Sequence, residues 1–316
     1  MKPTVFADTK HMSRQDWLKA RRAGIGGSDA AAILGLNPFS SPMSVWAEKV
    51  SDAEPEELRG NESVWLGNVL EEHVARRYAE ETGLPVVRCN KMLQHPKYPF
   101  MLANIDRRIR NARIGIEIKT TSMMNKTDFA NGQISPWYYV QCMHYLAVTG
   151  WKEWLLLVLV IGKGLYSFTI DRDEKEIRSL VKAEEAFWNG YVKTGKMPPA
   201  DGSQAAAKAI ALRFPASDGT AKELTCDAAV RRYVNLDMQI RSLEAEKEVM
   251  RQQIQTEMGT AETGTVDGFT VSWKSAKPRV TLDSKRLSAE MPEVYSRYCR
   301  TGEGTRRFIV SAGRGA

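Results

Sequence analysis

The sequence predicts an α/β or α+β domain, in which helices pack on strands, followed by a helical extension. Three observations support this fold class. Residues 63–81 repeat apolar side chains at helical spacing, whereas residues 101–120 and 153–171 show the alternation and apolar runs of strands. Beyond a stretch rich in Pro, Gly and Ala, residues 229–254 follow a heptad pattern, which predicts one long helix.

The composition is typical of a globular protein with a sizeable core. The chain has 316 residues, 43% hydrophobic and 26% charged. Residues 1–17 lack the apolar segment of a signal peptide, and the longest apolar run, 154–161, is far shorter than a membrane span of ~20 residues. We therefore expect a cytoplasmic protein. The four cysteines form no CxxC pair and predict neither a zinc site nor a disulfide framework. They are Cys89, Cys142, Cys226 and Cys299.

The net charge of +7 is concentrated near the end of the chain. Residues 274–316 contain ten Lys/Arg and four Asp/Glu, a net charge of +6, and aromatic residues lie among them. Basic and aromatic side chains together suit contacts with phosphates and bases. A solvated basic surface is the alternative interpretation.

The first 195 residues alternate helix and strand signals. A short helix is predicted over 13–22, and Ser28 or Asp29 is the expected N-cap of a second short helix that ends at Gly35. A longer helix is predicted over 63–81. Ser135 and Pro136 are a favourable N-cap and N1 pair for a helix that runs to Thr149. The predicted strands cover 86–94, 101–110, 113–120, 153–161 and 165–171, and a last helix covers 173–193.

These signals divide the chain into three parts: a domain over 1–195, a linker over 196–222 and an extension over 223–316. The heptad helix of the extension predicts packing, either within the chain or against a neighbouring subunit. A small α/β tail follows it. The tail is predicted to contain a hairpin at Asp267-Gly268, a helix capped by Asp283 and a last strand, RRFIVS.

Residues 101–122, MLANIDRRIRNARIGIEIKTTS, raise a question of chemistry. A turn centred just after Asn111 pairs residues whose numbers add to 223, so that Asp106 lies opposite Glu117. Directly opposed residues have Cβ atoms ~5 Å apart. Lys119 follows two residues later and points to the same face. Two carboxylates at that distance repel each other unless a cation lies between them.

Mg²⁺ is the cation that this arrangement suits, because it prefers oxygen ligands and is often held by one or two carboxylates. The amine of Lys119 would polarise or deprotonate a bound water. The alternative interpretation is a solvent-facing strand pair with a salt bridge between an acid and Lys119.

Two further polar residues lie on predicted helices. Glu71 borders the apolar stripe of the 63–81 helix and would supply a third carboxylate; alternatively, it is an ordinary surface acid. Gln141 lies on a helix that is otherwise mostly apolar or aromatic. A buried amide needs partners, so Gln141 either satisfies core carbonyls or orients a water or a phosphate.

This order of residues resembles the PD-(D/E)XK nuclease superfamily, whose core is a mixed central sheet flanked by helices. Five ordered motifs are similar to the YqaJ-type viral recombinase family, which includes phage lambda exonuclease. They are IGGSDAAAILGLNPFSSP, WLGNVLEEHVARRYAEETG, ANIDRRI, IGIEIKTTS and SPWYYVQCMHYLAVTG, within residues 13–195. Ile105 is a departure, since the superfamily name has Pro before the Asp.

The resemblance implies a metal site with two Mg²⁺ ions, for which Mn²⁺ may substitute. Asp106 and Glu117 would be the main ligands, together with the main-chain carbonyl of Ile118. Glu71 would contact the second ion or its waters. Two ions would clamp the attacking and leaving oxygens of a phosphodiester.

The resemblance also implies roles for residues outside the metal site. Lys119 would activate the attacking water, and Gln141 would help to place it. The terminal 5′-phosphate of DNA would be bound by Ser28 and by either Arg21 or Arg22, since two alignments of the motif are equally good. Gly26 and Gly27 suit this role because they expose backbone N–H groups at a predicted helix start.

The implied function is a 5′-to-3′ exonuclease that acts on linear duplex DNA and leaves a 3′ single strand for recombination by annealing. The implied partners are duplex DNA ends, a single-strand annealing protein of the same phage or prophage, and two further copies of the chain in a ring-shaped homotrimer. A bacterial host cytoplasm is the implied location. The alternatives are an endonuclease of the same superfamily and a catalytically silent DNA-binding or assembly protein.

Overall fold

A computed structural model describes residues 2–51, 62–122, 128–302 and 304–311. The chain forms two compact units, Met1–Phe214 and Pro215–Ala316. The helices are α1 (Arg14–Arg22), α2 (Gly27–Ile33), α3 (Pro42–Val50), α4 (Glu62–Thr82), α5 (Pro136–Thr149), α6 (Glu174–Phe187), α7 (Gln204–Arg213), α8 (Asp227–Met258), α9 (Ser284–Glu290) and α10 (Pro292–Tyr298). The strands are β1 (Thr4–Asp8), β2 (Val86–Arg88), β3 (Lys91–Gln94), β4 (Leu102–Asn104), β5 (Arg107–Ile109), β6 (Ile114–Thr121), β7 (Glu153–Val160), β8 (Gly164–Asp171), β9 (Thr263–Val266) and β10 (Phe269–Ser272).

The first unit is built on a mixed five-stranded sheet with the order β2-β5-β6-β7-β8. The pair β6–β7 is parallel, and the other neighbours are antiparallel. A parallel pair needs a long crossover connection, and α5 lies in the connection between β6 and β7. The mixed sheet with flanking helices confirms the predicted fold class.

Alternation along the central strands directs side chains to two different helix layers. Ile116 of β6 and Leu155 of β7 share a cluster with Val74 of α4. Trp154 and its neighbours on the other face of β7 share the larger cluster with Leu146 of α5 and with α6. Both faces of β6 and β7 are therefore covered, which explains their nearly continuous apolar character.

The register predicted for the hairpin is confirmed, but its first strand is not continuous. Arg107 pairs with Ile116, a pair whose numbers add to 223 as predicted. The predicted strand over 101–110 is instead two strands in two sheets. The first, β4, belongs to a three-stranded antiparallel sheet with β1 and β3, whereas β5 belongs to the central sheet. Asp106 therefore lies where the chain passes from one sheet to the other.

Several local predictions were wrong. The N-cap of α2 is Gly26 rather than Ser28 or Asp29, because Asp29 lies three residues into the capping arrangement and accepts the backbone N–H of Gly26 at 2.9 Å. The predicted linker over 196–222 contains α7, whose alanines pack against α3, so that the compact unit extends to Phe214.

The second unit contains the long helix, the hairpin and two short helices. Helix α8 has 32 residues, none of them buried. Asp267 and Gly268 both have positive φ, as the predicted two-residue hairpin requires, and the Asp283 side chain caps α9. The predicted last strand does not form, because residues 306–311 pair with neither β9 nor β10. Within the described ranges, none of the helices is long and apolar enough to cross a membrane.

Gly115 of β6 allows the closest packing in the sheet, and we predict that Gly115→Ala lowers the free energy of unfolding by ~1–3 kcal/mol. A Cβ atom at this position would lie 2.3 Å from the buried ring of Trp154. Urea denaturation measures the change. Gly67→Ala is the control, because no atom of the described residues lies within 4 Å of a Cβ there, and it should gain up to ~1 kcal/mol as a helix-interior alanine. Equal stability of both variants would contradict the packing.

Candidate active site

The structure brings Asp106 and Glu117 together on the face of the sheet that α5 covers. Asp106 immediately precedes β5, and Glu117 is central in β6. The backbone N–H of Ile118 donates a hydrogen bond of 3.1 Å to Asp106 Oδ2. Because N–H and C=O of one strand residue point to the same edge, the carbonyl of Ile118 also faces the edge next to Asp106. The two acids are held by the sheet itself.

Burial and mutual repulsion define the electrostatics of this pair. Burial raises the pKa of Asp106 to about 7, and the facing charge of Glu117 contributes to the increase. The Glu117 side chain is only 3% exposed. Its Oε2 atom is buried and has no hydrogen-bond partner among the described residues. A buried carboxylate oxygen normally has a partner, so this atom indicates where a ligand belongs.

Lys119 and Gln141 both contact the other oxygen of Glu117. Lys119 Nζ lies 2.5 Å from Glu117 Oε1, and Gln141 Nε2 donates to the same atom at 2.6 Å. Burial alone would lower the pKa of Lys119, but the charges of Glu117 and Asp106 raise it above its usual value. The ammonium group also lies 5.5 Å from the ring centre of Tyr138 on α5. Lys119 is therefore a cation at this site.

Glu71 lies at the edge of the site, where its carboxylate pairs with the side chain of Arg107. Arg107 binds its carboxylate at 2.5 Å and also contacts Glu72 at 3.0 Å. Burial raises the pKa of Glu71, and the charge of Asp106 raises it further. Glu71 is thus electrostatically linked to the acid pair. No three acidic, histidine or cysteine side chains within the described ranges lie close enough together to form a ready-made metal site.

The donor set nevertheless fits a hard divalent cation. Two opposed carboxylates, one unpartnered buried oxygen and a nearby main-chain carbonyl are oxygen ligands of the kind that Mg²⁺ prefers. A cation there would remove the repulsion that raises the pKa of Asp106. The sequence prediction that Asp106 and Glu117 face each other is confirmed; their metal stays a prediction.

The second group of predicted residues forms a separate cluster around α2. Arg21 Nη2 donates to Ser28 Oγ at 3.1 Å and contacts Asp29 Oδ1 at 2.9 Å. The buried Nζ of Lys49 contacts the other oxygen of Asp29 at 2.8 Å. Burial alone would raise the pKa of Asp29, but Lys49 and Arg21 hold it well below its usual range. The guanidinium of Arg21 is thereby fixed next to the Ser28 hydroxyl.

Arg22 points elsewhere, since its Nη1 donates to the carbonyl of Ser51 at 3.0 Å. Of the two arginines between which the sequence motif does not discriminate, Arg21 is the one that meets Ser28. This geometry does not by itself assign either residue to a phosphate.

Tight packing joins the two clusters. A Cβ atom on Gly27 would lie 2.8 Å from both Gln141 and the Tyr145 ring. The Tyr145 hydroxyl accepts a hydrogen bond of 3.0 Å from Gln141 Nε2. The sequence predicts a glycine here for the approach of an anion; the structure gives a steric reason for it. Helices α2 and α5 can carry both clusters only at this close distance.

Sequence analysis missed four residues of this region. Lys49 and Arg107 pair with acids that are distant in the sequence, so no local pattern reveals them. Tyr145 follows Gln141 by one helical turn, and this spacing predicts that the two side chains are neighbours on the helix. The sequence predicts Asp29 only as a possible cap, whereas in the structure its place between two basic residues is what orders Arg21.

Comparison with known proteins gives the chain a family. Residues 16–152 match the YqaJ-like viral recombinase domain. The protein YqaJ of Bacillus subtilis strain 168 is 35% identical over 299 residues, which cover 93% of each chain. The chain belongs to the YqaJ family. Protein D345L of African swine fever virus is 40% identical over a much shorter segment of 47 residues, 15% of this chain and 14% of that protein.

Two solved structures resemble somewhat more than half of this YqaJ family member. An alkaline exonuclease from Laribacter hongkongensis covers 57% of this chain and 93% of its own, with a TM-score of 0.47 and 19% identity. A phage-related exonuclease from Haemophilus somnus covers 54% of this chain and 96% of its own, with a TM-score of 0.43 and 14% identity.

The buried acid pair predicts a pH-dependent effect of Asp106→Asn on stability without metal. The folded-state pKa of Asp106, about 7, exceeds the unfolded value of ~3.9. The ionised side chain therefore destabilises the folded state increasingly as the pH rises from ~4 to 7. Asn should raise the melting temperature at pH 8, by ~2–4 °C for each kcal/mol of repulsion removed, and change it little at pH 4.

Calorimetry in EDTA at the two pH values measures this difference. Asp171→Asn, an exposed change on β8, is the control and should alter the melting temperature little at either pH. A shift of equal size at pH 4 and pH 8 for Asp106→Asn would mean that repulsion with Glu117 is not the cause.

Proposed function

We propose that this YqaJ family member is a metal-dependent deoxyribonuclease that degrades one strand of linear duplex DNA from its 5′ end. The 3′ single strand that remains would serve phage-type recombination by annealing. The observation that supports the proposal most strongly is the cluster of Asp106, Glu117, Lys119 and Gln141. Its two facing acids, fixed cation and amide are a set that a purely structural hairpin has no reason to bury.

The geometry of the cluster suggests a role for each of its residues. We assign Mg²⁺, for which Mn²⁺ would substitute, to the carboxylates of Asp106 and Glu117 and the carbonyl of Ile118. Glu71 would lie beside a second ion. The metal would stabilise negative charge on the phosphate and lower the pKa of a bound water. Lys119 is positively charged, so its role would be to donate hydrogen bonds to the attacking water or the phosphate. Gln141 holds the Glu117 carboxylate in place.

The Arg21–Ser28 cluster supports action at a DNA end rather than within a strand. A guanidinium and a hydroxyl 3.1 Å apart provide donors for the oxygens of a terminal phosphate. Asp29 and Lys49 orient the guanidinium from behind. A 5′-phosphate bound here would set which nucleotide reaches the acid pair. We propose the direction of digestion and the trimeric assembly from the family resemblance alone.

A basic cavity on the first unit supports contact with the DNA backbone. The cavity has a volume of about 620 Å³ and contains Trp151 together with six basic residues and one acid, Asp8. The basic residues are Lys2, Lys10, Arg88, Lys91, Arg108 and Arg113. Within the described part of the chain, the side chain of only one of the six, Arg88, has an ion-pair partner, Glu72. Unpaired cations beside an aromatic ring suit phosphates and bases.

The proposed chemistry predicts Mg²⁺-dependent loss of end-labelled linear duplex DNA that Lys119→Ala slows by at least ~100-fold. Removal of the ammonium deprives the water or phosphate of its donor. Release of nucleotides is measured with 5′-phosphorylated duplex, with EDTA and closed circular DNA as controls. Cleavage of the circle would replace the proposal by an endonuclease, and no cleavage of any substrate would leave a DNA-binding protein.

The end-recognition cluster predicts that Arg21→Gln reduces the preference for a 5′-phosphate over a 5′-hydroxyl by ~10–100-fold, the loss of one charge-assisted hydrogen bond. Arg22→Gln is the matched control and should keep the preference, because Arg22 bonds to Ser51. Ser28→Ala, which leaves the buried ion pairs intact, tests the site if Arg21→Gln proves unstable. A preference lost in Arg22→Gln but kept in Arg21→Gln would reverse the assignment.

The cavity predicts a smaller salt dependence of DNA binding when its cations are removed. In a Lys119→Ala background, Lys91→Gln/Arg113→Gln should lower the slope of log affinity against log salt by ~2, since each phosphate contact contributes ~0.9. Fluorescence anisotropy with a labelled duplex measures the slope. Arg178→Gln/Lys182→Gln removes the same charge from the exposed face of α6. Equal slopes for the two double variants would exclude the cavity from the DNA path.

A further inference from the structure

Helix α8 of the second unit has a heptad seam that is largely exposed, although the ring of Tyr233 near its start lies 5.6 Å from the ring of Phe308. Positions a and d of the heptad form the core of a coiled coil. Position a is occupied by Tyr233, Ile240, Lys247 and Ile254, and position d by Ala229, Leu236, Leu243 and Met250. None of the 32 residues of α8 is buried. Ile240 is 53% exposed and Leu243 is 64% exposed, so the centre of the seam has no cover.

The residues that flank the seam have charges that complement a second copy of the same helix. Arg232 and Glu246 occupy position g, and Asp237 and Arg251 occupy position e. In an antiparallel pair centred between positions 240 and 243, Arg232 meets Glu246 of the second copy, and Asp237 meets Arg251 of the second copy. These four contacts join opposite charges, whereas Glu244, also at position e, meets Glu244 of the second copy at the centre of the pair. Such e and g contacts determine partner choice and orientation in coiled coils.

A parallel pair would satisfy the same opposite charges and would place Glu244 beside Gln239 of the second copy, but it would not satisfy the core. It would place Lys247 against Lys247 of the second copy in one layer, and Ala229 against Ala229. The antiparallel pair places the Lys247 stem against Leu236 of the second copy, and the small Ala229 against the large Ile254 of the second copy. Unlike residues fill these layers better and separate the two ammonium groups.

We propose that α8 pairs with α8 of a second copy of this chain in an antiparallel two-stranded coiled coil. The self-complementary charges favour a second copy over an unrelated partner. Asp237 already pairs with Arg241, and Arg251 with Glu248, within the helix. These pairs are exposed and weak, and a carboxylate accepts several hydrogen bonds, so they do not prevent contacts between copies. The proposal is independent of any nuclease activity.

Sedimentation of the full-length protein tests the pairing. Leu243→Asp places a charge at the centre of the seam and should halve the mass of the assembly, whatever contacts the first unit makes. Arg232→Glu should raise the dissociation constant about tenfold, because it opposes two like charges at each end. Arg231→Glu makes the same change one residue away, outside the seam, and should have no effect. An unchanged mass for Leu243→Asp would overturn the coiled coil.

Two charge swaps then determine the orientation. Arg232→Glu/Glu246→Arg restores opposite charges only in the antiparallel pair, whereas Arg232→Glu/Asp237→Arg restores them only in the parallel pair. We expect the first swap to recover the dissociation constant of the original chain and the second to weaken pairing further than Arg232→Glu alone. Recovery by the second swap would overturn the antiparallel arrangement. Far-ultraviolet circular dichroism of each variant confirms that α8 remains helical.

Discussion

The opposition of Asp106 and Glu117 is the constraint on which the first unit depends. Ionised carboxylates this close and this buried are unfavourable unless other groups compensate for them. The Ile118 N–H compensates at Asp106, and Lys119 and Gln141 compensate at one oxygen of Glu117. The remaining oxygen has no such partner among the described residues. This oxygen is the feature on which the proposed cation site rests.

The same constraint explains why several elements approach so closely. Gln141 reaches Glu117 from α5. Gly115 leaves room for the Trp154 ring within the sheet, and Gly27 allows α2 to lie against Gln141 and Tyr145. The Tyr145 ring connects this region to α2, where Asp29 orders Arg21. The acid pair and the proposed phosphate cluster are thus joined by contiguous packing. The connection consists of hydrogen bonds and of close packing at positions where only glycine fits.

A buried polar pair also fixes how elements of the first unit pack against one another. His144 Nδ1 lies 2.8 Å from Glu184 Oε1, and its Nε2 lies 2.9 Å from the carbonyl of Leu102. Both side chains are fully buried, and the Glu184 charge raises the pKa of His144 although burial alone would lower it. This pair ties α5, α6 and β4 together. Apolar residues alone would not specify so exactly how these three elements meet.

The sequence by itself determined the elements with strong periodicity and the residues that alternate with them. The helix of Glu71, the strands of the central sheet and the register that opposes Asp106 to Glu117 all follow from local patterns, because side-chain spacing in helices and strands is regular. The family followed from five ordered motifs. The caps, the linker and the last strand were predicted less well. The N-cap of α2 is Gly26, whose N–H is bound by the Asp29 side chain, and α7 is held by contacts with α3.

Only the tertiary structure decided which distant charges meet. Nothing in the sequence joins Lys49 to Asp29, or Arg107 to Glu71, since these pairs depend on how α3 and α4 pack rather than on spacing along the chain. It was also the packed structure that separated Arg21, which meets Ser28, from Arg22, which does not. Electrostatic interactions act over a few ångströms in space, and sequence distance does not report that proximity.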